Sequence, residues 1–174
     1  MFTPSPSLQR TLSTQTRALD PLEGRFGPGH RLPLPLRKDL PALALEFADW
    51  LTFSSLLSPT PSLRLQLTGA ESLRGGRFRF RAELTDHASS GRGGAHEIVA
   101  TGPVSACTQL LSRAGRGLEI LTFRQVELHE ATATFILAHH PHHHERAKWA
   151  FGFGATPQAS IASAMSAAAH RIHG

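Results

Sequence analysis

FGFGATPQASIASAMSAAAHRI, residues 151–172, runs from alternating Phe and Gly through a Thr-Pro into a helix of very small side chains. Thr156 suits the N-cap, where its hydroxyl can accept from a free N–H of the first turn, and Pro157 suits the first helical position, where no N–H is needed. Ile161, Met165, Ala168, Ala169 and Ile172 recur at helical spacing and form the side expected to be buried. A helix meant only to fill a core would carry more Leu and Ile. Small residues behind a Pro-led start imply that something comes close to the backbone there, a ligand or another element of the fold.

Upstream of this helix, RAKWAFGFG (146–154) reads as a strand, HHPHHHE as a loop, and EATATFILA (130–138) and LEILTFRQVELH (118–129) as extended segments. Another helix, PVSACTQLLSRAG (103–115), comes before them, with Pro103 in its first turn, Val104, Cys107 and Leu111 on one face, and Gly115 as its stop. HEIVATG (96–102) is a short strand, and TDHASSGRGGAH is a loop. In GRFRFRAEL (76–84), Phe78, Phe80, Ala82 and Leu84 alternate with Arg77, Arg79, Arg81 and Glu83; in SLRLQLTG (62–69), Leu63, Leu65 and Leu67 share a face. From about residue 63 the order strand, strand, strand, helix therefore occurs twice. The two helix starts, VATGPVSAC and FGATPQASI, are alike: a third strand runs into a small residue, a Pro and a helix. This predicts an internal duplication with a unit of about 50 residues. The expected fold is α+β, with helices covering the strand faces.

The chain has 174 residues, 40% of them hydrophobic, so it can bury a core, and no apolar run approaches the ~20 residues of a membrane span. A single cysteine, Cys107, excludes an internal disulfide framework and a multi-cysteine zinc site, and suits a reducing cytoplasm. The net charge of +5 is compatible with nucleic acid, but Arg77, Arg79 and Arg81 alternate with Phe78 and Phe80, so phosphate contacts and base stacking would fall on opposite faces. A solvated outer face is expected instead. Residues 1–38 are rich in Pro, Ser and Arg and are expected to form a disordered tail; they lack the apolar segment of a secretory signal. DLPALALEFADWL (39–51) repeats its apolar residues at helical spacing and predicts a linker helix, with SSLLSPTPS (54–62) as a loop.

GPVSACTQLLSRAG resembles the Gly-Pro-led helix start in the C-terminal regulatory domain of α-isopropylmalate synthase. WAFGFGATPQASIASAMSAAAHR is similar to that domain's closing signature, a Gly-x-Gly strand and a Pro-led helix with an Ala-Ser pair, here Ala162 and Ser163. Arg171 follows His170, where the family usually has Asn. KDLPALALEF resembles the linker helix that precedes the domain, so the resemblance spans residues 38–174. It implies a duplicated βββα fold over residues 63–174 that forms a homodimer and binds leucine near the helix N-termini. The leucine-site positions it implies are Thr101, Gly102, Val104 and Ser105 at the first helix start, Ile120, Phe123 and Ala131 on the following strands, and Ala155 and Pro157 at the second start. The family's catalytic barrel needs roughly 250 residues, and only about 60 precede the regulatory region here. The expectation is therefore a stand-alone, non-catalytic, cytoplasmic module without cofactor or metal, sensing leucine or a related molecule and acting in trans on a synthase. Phe123 stands where a polar aromatic ring is common, and Thr101 where Asn is common. Those departures support an alternative: a dimerisation module that has lost its ligand.

Helix N-termini offer free N–H groups and a partial positive charge to a carboxylate, which is the physical reason small residues at such a start suit an amino-acid ligand. The run HHPHHH (139–144) offers imidazoles to Zn, Ni or Cu, and is read as a solvated loop, ahead of adventitious metal affinity and, last, a functional site. Cys107 sits on an apolar helix face and reads as core. No Ser-His-Asp arrangement, carboxylate pair or phosphate loop is evident.

Overall fold

A computed structural model describes residues 20–39, 50–87 and 93–174. The elements run α1 (Pro21–Phe26), α2 (Leu34–Asp39), α3 (Trp50–Leu57), β1 (Leu63–Ser72), β2 (Phe78–Asp86), β3 (Gly93–Ala100), α4 (Pro103–Arg113), β4 (Glu119–Leu128), β5 (Ala131–His140), β6 (His143–Gly154) and α5 (Pro157–His173). The fold is α+β: two antiparallel three-stranded sheets, ordered β1-β2-β3 and β4-β5-β6, with five helices among the described residues. None of these helices is long and apolar enough to cross a membrane.

Alternation places the first sheet. Leu65, Phe80, Ala82, Leu84, Ile98 and Ala100 are buried, while Arg64, Arg81, Glu83 and Glu97 between them face solvent. The outer arginines are partly paired across strands, Arg79 to Glu71 at 2.9 Å and Arg81 to Glu97 at 3.5 Å. Exposed pairs of this kind add little stability. They do make this the solvated face expected from the sequence.

The second sheet is covered on both sides. Ile136, Ala138 and Ala150 join a core with the first sheet, α4 and α5, whereas Ala133, Phe135, Trp149 and Phe151 join a separate core with α1, α2 and α3. This explains why β5 is buried at consecutive positions, Thr132 through Ile136, and carries no simple polar–apolar alternation. Along β6 the same geometry sorts the Phe-Gly run. Phe151 turns toward the N-terminal helices, and Gly152 and Gly154 lie under α5.

The contact under α5 is between backbones. A Cβ on Gly152 would lie 2.0 Å from the Ala164 amide nitrogen and 2.4 Å from the Ser160 carbonyl oxygen; one on Gly154 would lie 2.6 Å from the Ser160 nitrogen. The helix seats directly on the strand, and its own side chains must be small because it also packs against β5, β1 and α4. The buried side is accordingly broader than the expected stripe, taking in Ser160, Ala162, Ala164, Ser166 and Ala167. Ser166 has a second task. Its hydroxyl accepts from the Leu65 N–H at 2.9 Å and donates to the Ala162 carbonyl at 2.8 Å, so α5 satisfies part of the free edge of β1.

The N-terminal region departs from the sequence expectation. Residues 1–19 lie outside the described residues, but 20–38, expected as part of a disordered tail, form α1 and most of α2. Leu22, Leu32 and Leu36 are almost fully buried against the second sheet. Asp20 caps α1 at the Leu22 N–H (3.0 Å) and also accepts from the Leu32 N–H (3.0 Å), and Trp149 donates its indole N–H to Asp39 at 3.0 Å. Most of the expected linker helix (residues 40–49) lies outside the described residues. The expected loop at 54–62 is still helical through Leu57, because Phe53 and Leu57 are buried.

Residues 139–145 also differ from the expected loop. β5 runs to His140, Pro141 and His142 make a tight turn, and β6 begins at His143.

Two variants test the central contact. Gly152→Ala should cost at least the ~1–3 kcal/mol of an overpacked core. Ser166→Ala, which leaves the buried Leu65 N–H without its partner, should cost ~1–3 kcal/mol. Urea-unfolding midpoints would read both.

Candidate functional site

The two helix starts are built alike but finished differently. At α5, Thr156 takes the expected N-cap role, and its hydroxyl accepts from the Ala159 N–H at 3.1 Å. At α4 the N-cap is Gly102, in an extended conformation and with no side-chain cap bond. Its carbonyl receives the Ala106 N–H at 3.0 Å. Ser105, in the first turn, accepts instead from the Gln109 side chain at 3.1 Å. The start of α4 thus has the positive end of a helix without a side-chain oxygen to meet it.

The nine residues expected at a ligand site distribute as follows. Thr101 is exposed, and Gly102, Val104 and Ser105 are half-buried at the α4 start. Ile120 and Phe123 lie on β4, and with Val104 they pack on the same core. Their spacing of three would put them on opposite faces of a regular strand. A bulge between Ile120 and Thr122 expels Leu121 (55% exposed) and returns both to the inner face, where they pair with Ala138 and Ile136. Ala131 begins β5, opposite Leu128. Ala155 and Pro157 are exposed at the α5 start. Common core packing therefore relates Val104, Ile120 and Phe123, and none of the nine lines either of the two larger cavities.

The larger of those cavities, about 690 Å³, runs along the free edge of β1 beside α5. Arg64, Gln66 and Thr68 line it from the strand, and Ala162 and Ser163, the Ala-Ser pair of the closing signature, line it from the helix. A polar cluster that sequence reading missed stands at the α5 start. The Gln125 amide donates to the Thr134 hydroxyl (3.0 Å) and to the Pro157 carbonyl (3.2 Å), and the Thr134 and Ser160 hydroxyls are 2.6 Å apart. Thr134 and Ser160 are fully buried, so the cluster meets their hydrogen-bonding needs from within the fold. Only the alternating Thr residues of β5 hinted at it. The same holds for His170, in the position where the resemblance expects Asn: it accepts from the Ser62 N–H at 3.3 Å and fastens the chain leading into β1.

Cys107 is completely buried on α4, and burial pushes its thiol up to about 12. It is a core residue, as its helix face suggested. No known protein family matches the chain, and no curated protein is recognisably similar to it.

The state of Cys107 yields a prediction. The folded thiol stays protonated well above the pH at which an unfolded thiol ionises, near 9, so its contribution to stability is complete below pH 9 and is lost as the pH rises toward 12. Alkylation by iodoacetamide at pH 8 should be negligible in buffer and complete in denaturant. Fast labelling of the folded protein would contradict the burial.

Proposed function

We propose that the chain is a non-catalytic regulatory and dimerisation module of the α-isopropylmalate synthase type. In this reading a duplicated βββα unit forms a homodimer in the cytoplasm, senses leucine or a related branched acid, and acts in trans on a synthase of leucine biosynthesis. The twofold order of three strands and a Pro-led helix supports the family reading.

The observation that carries the ligand reading is the α4 start. Gly102 has a φ of −176°, a conformation open to any residue, and a Cβ there would meet nothing within 4 Å. Neither backbone nor space requires glycine, yet a side chain at this position would cover the N–H groups of the first turn. A carboxylate bound there would meet the positive end of the helix, with Thr101 and Ser105 beside it.

A second reading rests on the seating of α5. Gly152, Gly154 and the small residues of α5 are accounted for by backbone contact within the fold, which suits a module that dimerises and binds no small molecule.

Thermal unfolding across a panel of amino acids and 2-keto acids separates the two. A ligand at a hundredfold excess over its dissociation constant adds ~2.7 kcal/mol of stability, and leucine is expected to lead the panel. Gly102→Asp supplies its own cap and negative charge; it should match or exceed the parent's stability by a few tenths of a kcal/mol and lose the leucine response. A flat panel for the parent removes the sensor reading and leaves the dimerisation module.

A further inference from the structure

The end of the second sheet gathers three side chains that no part of the proposed sensor uses. Glu119 begins β4 and pairs directly with His139 on β5. On the other side of β5, Ala138 pairs with Lys148 and His140 with His143, so residues 144–147 of β6 stand opposite His139 alone. This wide bulge turns His144 onto His139. The rings meet edge to face with centroids 4.6 Å apart. Bulges that re-aim a side chain in this way are enriched beside functional sites.

The donor atoms converge. His144 Nδ1 is 3.5 Å from His139 Nε2, His139 Nε2 is 3.7 Å from a Glu119 carboxylate oxygen, and one ligand atom from each residue lies within 4.8 Å of the others. Ligands on a tetrahedral zinc with bonds of ~2.0–2.1 Å stand roughly 3.3–3.4 Å apart. The two separations from His139 are near that edge length and longer than good direct hydrogen bonds, and the third, between Glu119 and His144, is no more than 4.8 Å, so small rotations of the two exposed side chains complete the set.

His139 is also oriented as a metal ligand would be. Its side chain is 5% exposed, and its Nδ1–H donates to the His140 carbonyl at 2.9 Å. A carbonyl only accepts, so this bond places the proton on Nδ1 and leaves the lone pair of the neutral ring on Nε2, facing Glu119 and His144. A carbonyl accepting from the far ring nitrogen in this way fixes the tautomer and raises the basicity of the ligating nitrogen.

We propose that Glu119, His139 and His144 form a binding site for a divalent transition-metal ion of zinc character. The two-imidazole, one-carboxylate set suits borderline ions such as zinc. Three protein ligands leave a fourth position for water, and the exposed Glu119 side gives the ion access from solvent. Bound there, the ion ties the first residue of β4 to the β5–β6 hairpin across all three strands of the sheet.

Titration of the 174-residue chain with Zn²⁺, and with Co²⁺ as a spectroscopic probe, tests the site. The parent should bind one ion, gain thermal stability, and show the visible absorption of tetrahedral cobalt. Glu119→Gln and His144→Ala alter exposed side chains, so the fold should survive. Each should weaken zinc by more than the 10–100-fold that loss of a supporting contact costs and abolish the tetrahedral cobalt spectrum. His142→Ala combined with His143→Ala should leave both properties intact. A parent that binds no zinc overturns the site. So does binding that survives Glu119→Gln and His144→Ala but disappears in the His142/His143 double variant, which would assign it to adventitious chelation by the exposed turn.

Discussion

The backbone of α5 rests on the backbone of β6 at Gly152 and Gly154, and most of the architecture follows from that approach. A Cβ at either position would fall well inside contact distance of the helix backbone, and the helix would have to move outward. With the helix seated, residues 160–169 are nearly all buried between α4 and strands of both sheets, so only Ala, Ser and an occasional Ile or Met fit. Ser166 then lies within reach of the β1 edge, and one short side chain joins the helix to the other sheet. The glycines also decide what happens behind the sheet. Apolar bulk missing from the helix side of β6 reappears on the opposite side as Trp149 and Phe151, which need a cover of their own.

That second cover marks the limit of local reading. In the first sheet one face is wet, so strict alternation identified Leu65, Phe80, Ala82 and Leu84 as inward and the arginines as outward. In the second sheet the central strand β5 is dry on both faces, and periodicity loses its meaning there. The N-terminal segment departs from its sequence expectation for a related reason. Its Pro and Gly residues exclude long regular elements, but they do not exclude two short helices whose leucines close over Phe135 and Phe151. Leu22, Leu32 and Leu36 share their core with Phe53 and Leu57 and with Trp149 and Phe151 more than a hundred positions away, and no window along the chain can see that. Likewise, the serines at 54 and 55 suggested a loop, while Phe53 and Leu57 hold the helix down.

Capping chemistry was more legible than packing. Thr156 and Pro157 occupy the positions their side chains predict, since an N-cap depends on neighbours within three residues. The contrast between Thr156 and Gly102 was visible in the sequence as a difference in residue type, but its consequence needed the hydrogen bonds. Beyond the alternating Thr residues of β5, nothing in the sequence signals the Gln125, Thr134 and Ser160 cluster, because it joins β4, β5 and α5. The histidines offered composition without geometry. Six residues that suggested a solvated loop are arranged by a bulge into a buried ring facing an exposed acid and a second imidazole, and that arrangement depends on strand register.

The glycines finally separate what the fold requires from what it leaves over. Gly152 and Gly154 are demanded by steric contact, and the helix they serve is small for the same reason. The small-residue pattern of α5, taken alone, therefore supports no ligand. Gly102 is different in kind: its backbone is extended, the space around it is open, and a capping side chain would stabilise the helix behind it. Intramolecular packing accounts for the first two and is silent on the third. The proposed ligand site therefore belongs to the four residues from Thr101 to Val104, where a missing side chain has no structural reason, and not to the long helix.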